Sequence, residues 1–201
     1  MFTETAVATG LRVLIAEDDL VARDTMVEAL AALSHDVVAA VSTGEDATAQ
    51  ALALSPDAVL LDVHLPSGSG IAAAEAINAL LPGIGVVLIS GDDSIRLSDA
   101  EALSTGAVAF LPKPTPPQML DATLRLAAAR ANALREARRD AATATEALEN
   151  RKIIEKAKGV LMRRTGCSEP EAYRILQRSS QDRSKPMVEI ARTVLESEPG
   201  A

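Results

Sequence analysis

The sequence predicts an α/β fold: a doubly wound five-stranded parallel sheet, then a long helix and a small three-helix unit. Short apolar runs such as Val59-Leu60-Leu61 recur between segments of helical periodicity, as strands buried on both faces require. Each run ends in polar or turn-forming residues with a short connection, the pattern of parallel strands alternating with crossover helices. From Gln118 to Thr165 only Gly159 interrupts a periodic stretch rich in alanine, leucine and arginine, which reads as one extended helix.

Taken in order, residues 12–16 form the first strand, which ends in Glu17-Asp18-Asp19. Leu20, Val21, Met26, Val27, Leu30 and Leu33 then fall at helical spacing over residues 20–33. Residues 37–41 read as a second strand. Thr43 offers a capping hydroxyl to the next helix, and Glu45 and Asp46 suit the positive end of its dipole. Ser55-Pro56 stops that helix, and the third strand, 58–61, delivers Asp62 at its end. A helix from Gly70 is ended by Pro82-Gly83. The fourth strand, 84–89, finishes at Ser90-Gly91. A helix over roughly 94–104 leads to the fifth strand, 107–111, which finishes at Pro112-Lys113-Pro114.

A chain of 201 residues holds one ordinary domain and a smaller one. Its 48% hydrophobic content includes a great deal of alanine and its aromatic content is only 1%, which favours helices packed closely through small side chains. With Cys167 alone, no internal disulfide is possible. Residues 1–10 lack a basic segment and an apolar core, so no signal peptide is expected. No apolar run approaches the roughly 20 residues of a membrane span, and the expected location is the cytoplasm. Charge is uneven. Residues 1–114 hold 4 basic and 16 acidic residues, whereas residues 151–201 hold 11 basic and 7 acidic. An acidic front and a basic tail point to two domains with different partners.

Four strand ends carry residues able to meet: Glu17 and Asp18, Asp62, Ser90, and Lys113. Chemistry in open parallel sheets gathers beyond the carboxyl ends of the strands. Clustered carboxylates repel and need a cation, and a hard oxygen set with few protein donors suits Mg²⁺ beside a phosphate. A lysine at the same rim supplies a point charge for an anion, and a serine can donate to it. Asp62 could instead be a turn cap, and Asp19 a helix cap, but convergence of these groups favours a site.

On these residues, 11–127 resemble the flavodoxin-like receiver domain of two-component response regulators. The Asp62-x-x-x-Pro66 spacing, followed by Gly70, adds to the resemblance. It implies that Asp62 accepts a phosphoryl group from a sensor histidine kinase. It implies that Glu17, Asp18, Asp62 and the backbone carbonyl of His64 bind Mg²⁺. Ser90 then matches the hydroxyl that moves onto the phosphoryl group, and Phe110 the aromatic that swings with it, although Phe110 also reads as plain core. Lys113 matches the phosphate-pairing lysine, with a cis Lys113-Pro114 bond. Thr115-Pro116-Pro117 departs from the aromatic usual after Lys-Pro, which bears on how the last receiver helix packs.

Within residues 118–150, Leu120, Leu124, Ala127, Ala131, Leu134, Ala141 and Leu148 follow one 3-4 repeat, broken by Arg138 and Thr145. That reads as a coiled-coil seam continuous with the last receiver helix, the alternative being a monomeric helix packed on its own receiver domain. Alanine buries little area, so the seam would hold a homodimer weakly, in keeping with dimerisation that depends on phosphorylation.

In the basic tail, Ile153, Ile154, Ala157, Val160 and Leu161 define one apolar face, and Gly166 ends the helix. Ser168-Glu169-Pro170-Glu171 is a helix start, with a capping hydroxyl, an early proline and a glutamate three residues on. Ala172, Ile175 and Leu176 are expected inward on this second helix. Ser184-Lys185-Pro186 opens a third, with Met187, Val188, Ile190, Ala191, Val194 and Leu195. The run from Arg151 to Met162 and Ser168-Glu-Pro-Glu-Ala-Tyr173 make residues 147–196 resemble the ANTAR domain of the amidase and nitrate-assimilation antiterminators. The resemblance implies binding of RNA hairpins in nascent leader transcripts. Proteins that read RNA loops stack bases on aromatic rings and place lysine or arginine on phosphates. The candidates are Lys152, Lys156, Lys158, Arg163, Arg164, Tyr173, Arg178 and Arg183. Tyr173 is the only ring in this unit able to stack on a base, and could equally anchor its core.

The expected function is a phosphorylation-controlled, RNA-binding transcription antiterminator that is not itself an enzyme. The alternative is a DNA-binding response regulator. That would need a basic recognition helix, and the second helix of the tail carries only Arg174 and Arg178 as bases. A phosphohydrolase with Asp62 as nucleophile and an Asp-x-Asp signature would need an acid where His64 stands.

Overall fold

The computed structural model describes residues 10–66, 68–92 and 98–197. The chain divides into two compact units, Met1–Glu136 and Ala137–Ala201. In the first, β1 (Arg12–Ala16), β2 (Asp36–Val41), β3 (Ala58–Asp62), β4 (Gly85–Ser90) and β5 (Ala107–Pro112) form one sheet in the order β2-β1-β3-β4-β5. Every neighbouring pair is parallel. The connections are α1 (Leu20–Ala32), α2 (Gly44–Leu54), α3 (Gly70–Leu80) and α4 (Asp99–Thr105), and α5 (Pro117–Thr165) follows β5. The expected start of α4 near residue 94 lies outside the described residues.

Alternation along the central strands sorts the core into two layers. Leu14, Val59, Leu61, Val86 and Leu88 face one side, where Ala47 and Ala51 of α2 and Ala73, Ala74 and Ile77 of α3 cover them. Val13, Ile15, Leu60, Val87 and Ile89 face the other side, under Leu30 of α1 and Leu120, Leu124 and Ala127 of α5. Both faces are therefore sealed, and β3 and β4 are buried along their whole length. Small residues set the closeness of the layers. A Cβ on Gly85 would lie 2.6 Å from the carbonyl carbon of Ala127, so α5 rests on β4 only because that position is glycine.

This packing revises the coiled-coil expectation for the first part of the repeat. Leu120, Leu124, Ala127 and Ala131 are buried in the first unit's own core. They occupy seam positions by sequence, but the sheet claims them because a helix after β5 must cover β4. Leu134, Ala141 and Leu148 stay exposed.

In the second unit, Ile153, Ile154, Ala157 and Leu161 of α5 pack with Leu176 of α6 (Glu169–Arg183) and with Met187, Ile190, Ala191, Val194 and Leu195 of α7 (Met187–Glu196). At the start of α6 the Glu171 carboxylate accepts from the Ser168 amide at 2.8 Å and from its hydroxyl at 2.7 Å. Ile175 was expected inward but is 42% exposed. Ala172 and Leu176, four apart, form the inward line of α6, and Ile175 falls on its flank. Among the described residues no helix is long and apolar enough to cross a membrane.

Candidate phosphoacceptor site and basic helical unit

Parallel topology brings the carboxyl ends of β1, β3, β4 and β5 to one rim. Asp62 is the last residue of β3 and is 4% exposed, and Glu17, one residue past β1, is 1% exposed. Ser90 closes β4 and Lys113 follows β5. The loop after Asp62 turns back tightly. The Gly70 amide donates to the Val63 carbonyl at 2.9 Å, and a Cβ on Gly70 would lie 1.8 Å from the Asp62 carbonyl oxygen. Glycine is thus required for α3 to start beneath the site.

Lys113 is the centre of the rim. Its Nζ donates to Asp62 Oδ2 at 2.7 Å and to Glu17 Oε2, and the Lys113–Pro114 bond is cis, as expected. The His64 amide donates to Asp62 Oδ1 at 3.2 Å, while its side chain is exposed. Asp18 is exposed beside the pair, and one carboxylate oxygen from each of Glu17, Asp18 and Asp62 lies within 4.8 Å of the others. Three such oxygens can share one small cation. Burial raises the Glu17 carboxyl above its ordinary range, with the Asp62 charge adding and Lys113 opposing. Burial would lower the Lys113 ammonium, but its hydrogen bonds and charge pairing with Asp62 and Glu17 outweigh that and hold it above its usual value.

Ser90 is fully buried, and its Oγ accepts from the Asp92 amide at 3.0 Å. Phe110 pairs in register with Leu88 and packs half-buried against the layer under α2 and α3. Asp19 caps α1 through the Ala22 amide at 2.8 Å. Arg23, which the sequence did not single out, donates to the Glu17 carbonyl at 2.7 Å and so fixes the turn that carries the acid pair. His35 also carried no assignment, yet it is buried and joins the turn before β2 to α5.

Residues 13–125 match the model of the response regulator receiver domain, and residues 142–195 match the ANTAR domain. The transcriptional regulatory protein PdtaR of Mycobacterium tuberculosis is 34% identical over 197 residues, covering 97% of this chain and 94% of that protein. The chain is a response regulator with a C-terminal ANTAR domain. Among solved structures, the receiver domain of NarL from Mycobacterium tuberculosis is 31% identical with a TM-score of 0.52, covering 59% of this chain and 97% of that one. A protein-glutamate methylesterase of Haloarcula marismortui is 36% identical over 107 residues. That match takes in 53% of this chain and 29% of the esterase. What this response regulator shares with such enzymes is the receiver domain.

The ANTAR unit sorts the basic candidates unequally. Lys158 is nearly buried. Its side chain is 9% exposed, and Nζ donates to both oxygens of Glu155, at 2.8 and 2.9 Å, and to Glu169 at 2.7 Å. Those hydrogen bonds, first to Glu155 and then to Glu169, raise its ammonium above the ordinary range. It clasps α5 to the start of α6, and its charge is already neutralised. Arg164 donates to Ser197 Oγ at 3.0 Å and to the Ser197 carbonyl at the end of α7. Lys152 pairs with Glu149 at 2.8 Å, and Arg163 also engages neighbouring groups. Lys156, Arg178 and Arg183 stand exposed. Tyr173 is 45% exposed and is therefore not the core anchor of the unit.

Proposed function

We propose that this response regulator is a phosphorylation-controlled antiterminator that binds RNA hairpins in nascent leader transcripts. The observation that carries the reading is the Lys113–Asp62 contact at 2.7 Å, in a chain whose other unit matches the ANTAR domain. Asp62 Oδ attacks the phosphorus of a phosphohistidine on a sensor histidine kinase. The aspartyl O–P bond forms as the N–P bond breaks, and its electron pair returns to the imidazole. Lys113 offers its ammonium to a phosphoryl oxygen, and the Ser90 hydroxyl can donate to another. Phe110 follows Ser90 inward. Glu17, Asp18, Asp62 and the His64 carbonyl would hold Mg²⁺, which when bound neutralises charge on the phosphoryl oxygens.

Phosphorylation redistributes the receiver between two arrangements and so biases α5, whose first turns cover β4. Leu134, Ala141 and Leu148 are the exposed residues through which two copies would pair. Pairing presents two ANTAR units to RNA from a cytoplasmic protein that performs no catalysis of its own beyond loss of its phosphoryl group.

The test is binding of the full chain to hairpin RNA and to duplex DNA, with and without acetyl phosphate and Mg²⁺. Phosphodonor should tighten hairpin binding and leave DNA binding weak, and Asp62→Asn should abolish the gain. A variant that still responds would overturn the switch. Preference for duplex DNA would instead favour a DNA-binding regulator.

A further inference from the structure

Arg23 lies in the first turns of α1, just past the Asp19 cap, and is half-buried. Side chains on a helix lean back toward its start, so the guanidinium reaches over the first turn to the end of β1. There it donates to the Glu17 carbonyl at 2.7 Å, on the peptide that joins Glu17 to Asp18. Glu17, Asp18 and Asp19 all stand in this turn. Among the described residues Arg23 nevertheless pairs with none of their carboxylates. It spends its bond on the backbone and leaves the acids' charge for another cation.

The three acids of the rim are not held alike. Lys113 Nζ ties Glu17 and Asp62 through their side chains. Asp18 is exposed, and among the described residues no hydrogen bond or ion pair holds its carboxylate. Its place therefore follows from the backbone of the turn. The Glu17 amide donates to the Val41 carbonyl at 3.0 Å, and the Asp19 amide to Glu17 Oε1 at 3.4 Å. The Asp19 carboxylate accepts from the Ala22 amide at 2.8 Å. Those bonds fix residues 17 and 19. The peptide between Glu17 and Asp18 is fixed by Arg23. If it turned, the Asp18 carboxylate would leave the group whose oxygens lie within 4.8 Å of one another.

We propose that Arg23 is a positioning residue for the cation site. By holding the Glu17–Asp18 peptide it keeps Asp18 turned toward Glu17 and Asp62, and so sets the affinity for Mg²⁺. The proposal rests on the Mg²⁺ reading above and deepens it. Arg23 acts on a bound cation in two opposed ways. Its charge repels the cation, but at a half-exposed rim solvent and salt screen that repulsion. Orienting a metal ligand is commonly worth tenfold or more in affinity. Positioning wins.

The test measures Mg²⁺ binding to the full chain by titration calorimetry, beside thermal melts without metal. Arg23→Met removes both the donor and the charge. It should weaken Mg²⁺ binding by about tenfold, the lower end of what a group that orients a metal ligand is worth. Arg23→Lys keeps the charge and a single compact donor. It should bind Mg²⁺ less tightly than wild type and more tightly than Arg23→Met, and it carries the test should Arg23→Met fail to fold. In an Asp18→Asn background Arg23→Met should cost no further affinity, because Arg23 acts through Asp18. The rate of phosphorylation by acetyl phosphate should need more Mg²⁺ to half-saturate in Arg23→Met, yet reach the wild-type plateau. A lower metal-free midpoint with unchanged Mg²⁺ affinity would mark a purely structural role and overturn the proposal. Tighter binding by Arg23→Met would show that charge, not position, dominates, and would overturn it too, as would full additivity with Asp18→Asn. If wild type itself binds no Mg²⁺, the reading of the acids as a cation site fails first.

Discussion

His35 and Asp121 are 86 residues apart in sequence and meet at 2.7 Å through the imidazole Nε2 and a carboxylate oxygen. The same ring accepts the Leu11 amide proton on Nδ1 at 3.1 Å. An amide can only donate, so the ring proton of neutral His35 resides on Nε2 and goes to Asp121. Asp121 also takes the Arg125 guanidinium at 2.7 Å. One buried imidazole thus joins the lead into β1, the entry to β2 and the first turns of α5, the helix that continues into the ANTAR unit.

Replacing that ring should loosen the start of α5. His35→Ala leaves the Leu11 amide and the Asp121 carboxylate without this partner, a loss of about 1–3 kcal/mol by the usual cost of breaking such bonds. Urea unfolding of the receiver, followed by circular dichroism, measures it. A variant as stable as wild type would mean that water replaces the imidazole at no cost.

Asp121 gives this contact a pH signature. Burial would raise its carboxyl, but His35 and Arg125 outweigh burial and hold it below the ordinary value. A carboxylate depressed in the folded state contributes stability that is present above its unfolded value, about 3.9, and lost as pH falls through the lower folded value. Asp121→Asn should therefore narrow the stability gap to wild type below pH of about 4 and widen it near neutrality. A constant gap across that range would contradict the linkage.

At the strand-end rim, Lys113→Met should cost about 2–4 kcal/mol at neutral pH, because it leaves Glu17 and Asp62 buried together without the lysine between them. The lysine's raised ammonium value has the opposite pH sense from Asp121. Its contribution is whole below about 10.4 and fades as pH rises through the higher folded value. Glu17→Gln in the Lys113→Met background should recover part of the loss, since the unpaired acid is then gone. Chemical denaturation of the two single variants and the double variant gives the coupling. Simple additivity would show that the three groups do not act as a unit.

Mg²⁺ should raise the thermal midpoint of the unphosphorylated protein in a concentration-dependent way, as any ligand of the folded state does. Glu17→Gln and Asp18→Asn should each blunt that rise, whereas Asp19→Asn should not, because Asp19 is committed to capping α1. Differential scanning fluorimetry over a Mg²⁺ series would decide it, and an equal response in all variants would place the cation elsewhere.

Much of this was legible in the sequence because strand ends in a parallel sheet meet by topology. Once the apolar runs were read as strands, Glu17, Asp62, Ser90 and Lys113 had to share a rim. Two helix starts were legible for a local reason, since Thr43 and Ser168 precede helices as N-caps. His35 and Arg23 were not legible. Their partners are a side chain 86 residues away and a backbone carbonyl, and neither leaves a periodic or compositional trace. The seam misled because a 3-4 repeat records that a face is covered, not what covers it. Leu124 is apolar for β4 and β5 as readily as for a second helix. Lys158 shows the same limit for charge: spacing revealed a cation, and only the fold revealed Glu155 and Glu169 around it.

The meeting of α5 and β4 predicts a strong effect from a small change. Gly85→Ala adds one methyl 2.6 Å from the Ala127 backbone, where no flexible side chain can move aside. The cost should reach about 2–3 kcal/mol, the upper range for overpacking a dense core. Gly91→Ala, which meets nothing within 4 Å among the described residues, is the control and should be nearly silent. Comparable losses in the two would show that glycine flexibility matters here, and not the contact with α5.

Salt dependence separates the lysines of the ANTAR unit on the RNA-binding reading. Each phosphate contact contributes roughly 0.7–0.9 to the slope of log affinity against log salt. Lys156 is exposed, so Lys156→Ala should lower the slope by about that amount if its ammonium meets a phosphate, and Arg178→Ala should behave alike. Lys158 has its charge spent on Glu155 and Glu169, so Lys158→Met should leave the slope unchanged while lowering the thermal midpoint. Fluorescence anisotropy of a labelled hairpin across a salt series, paired with thermal melts, reads both quantities. A reduced slope in Lys158→Met would mean that RNA draws the lysine out of its clasp. The α5–α6 junction would then rearrange on binding instead of presenting a ready-made face.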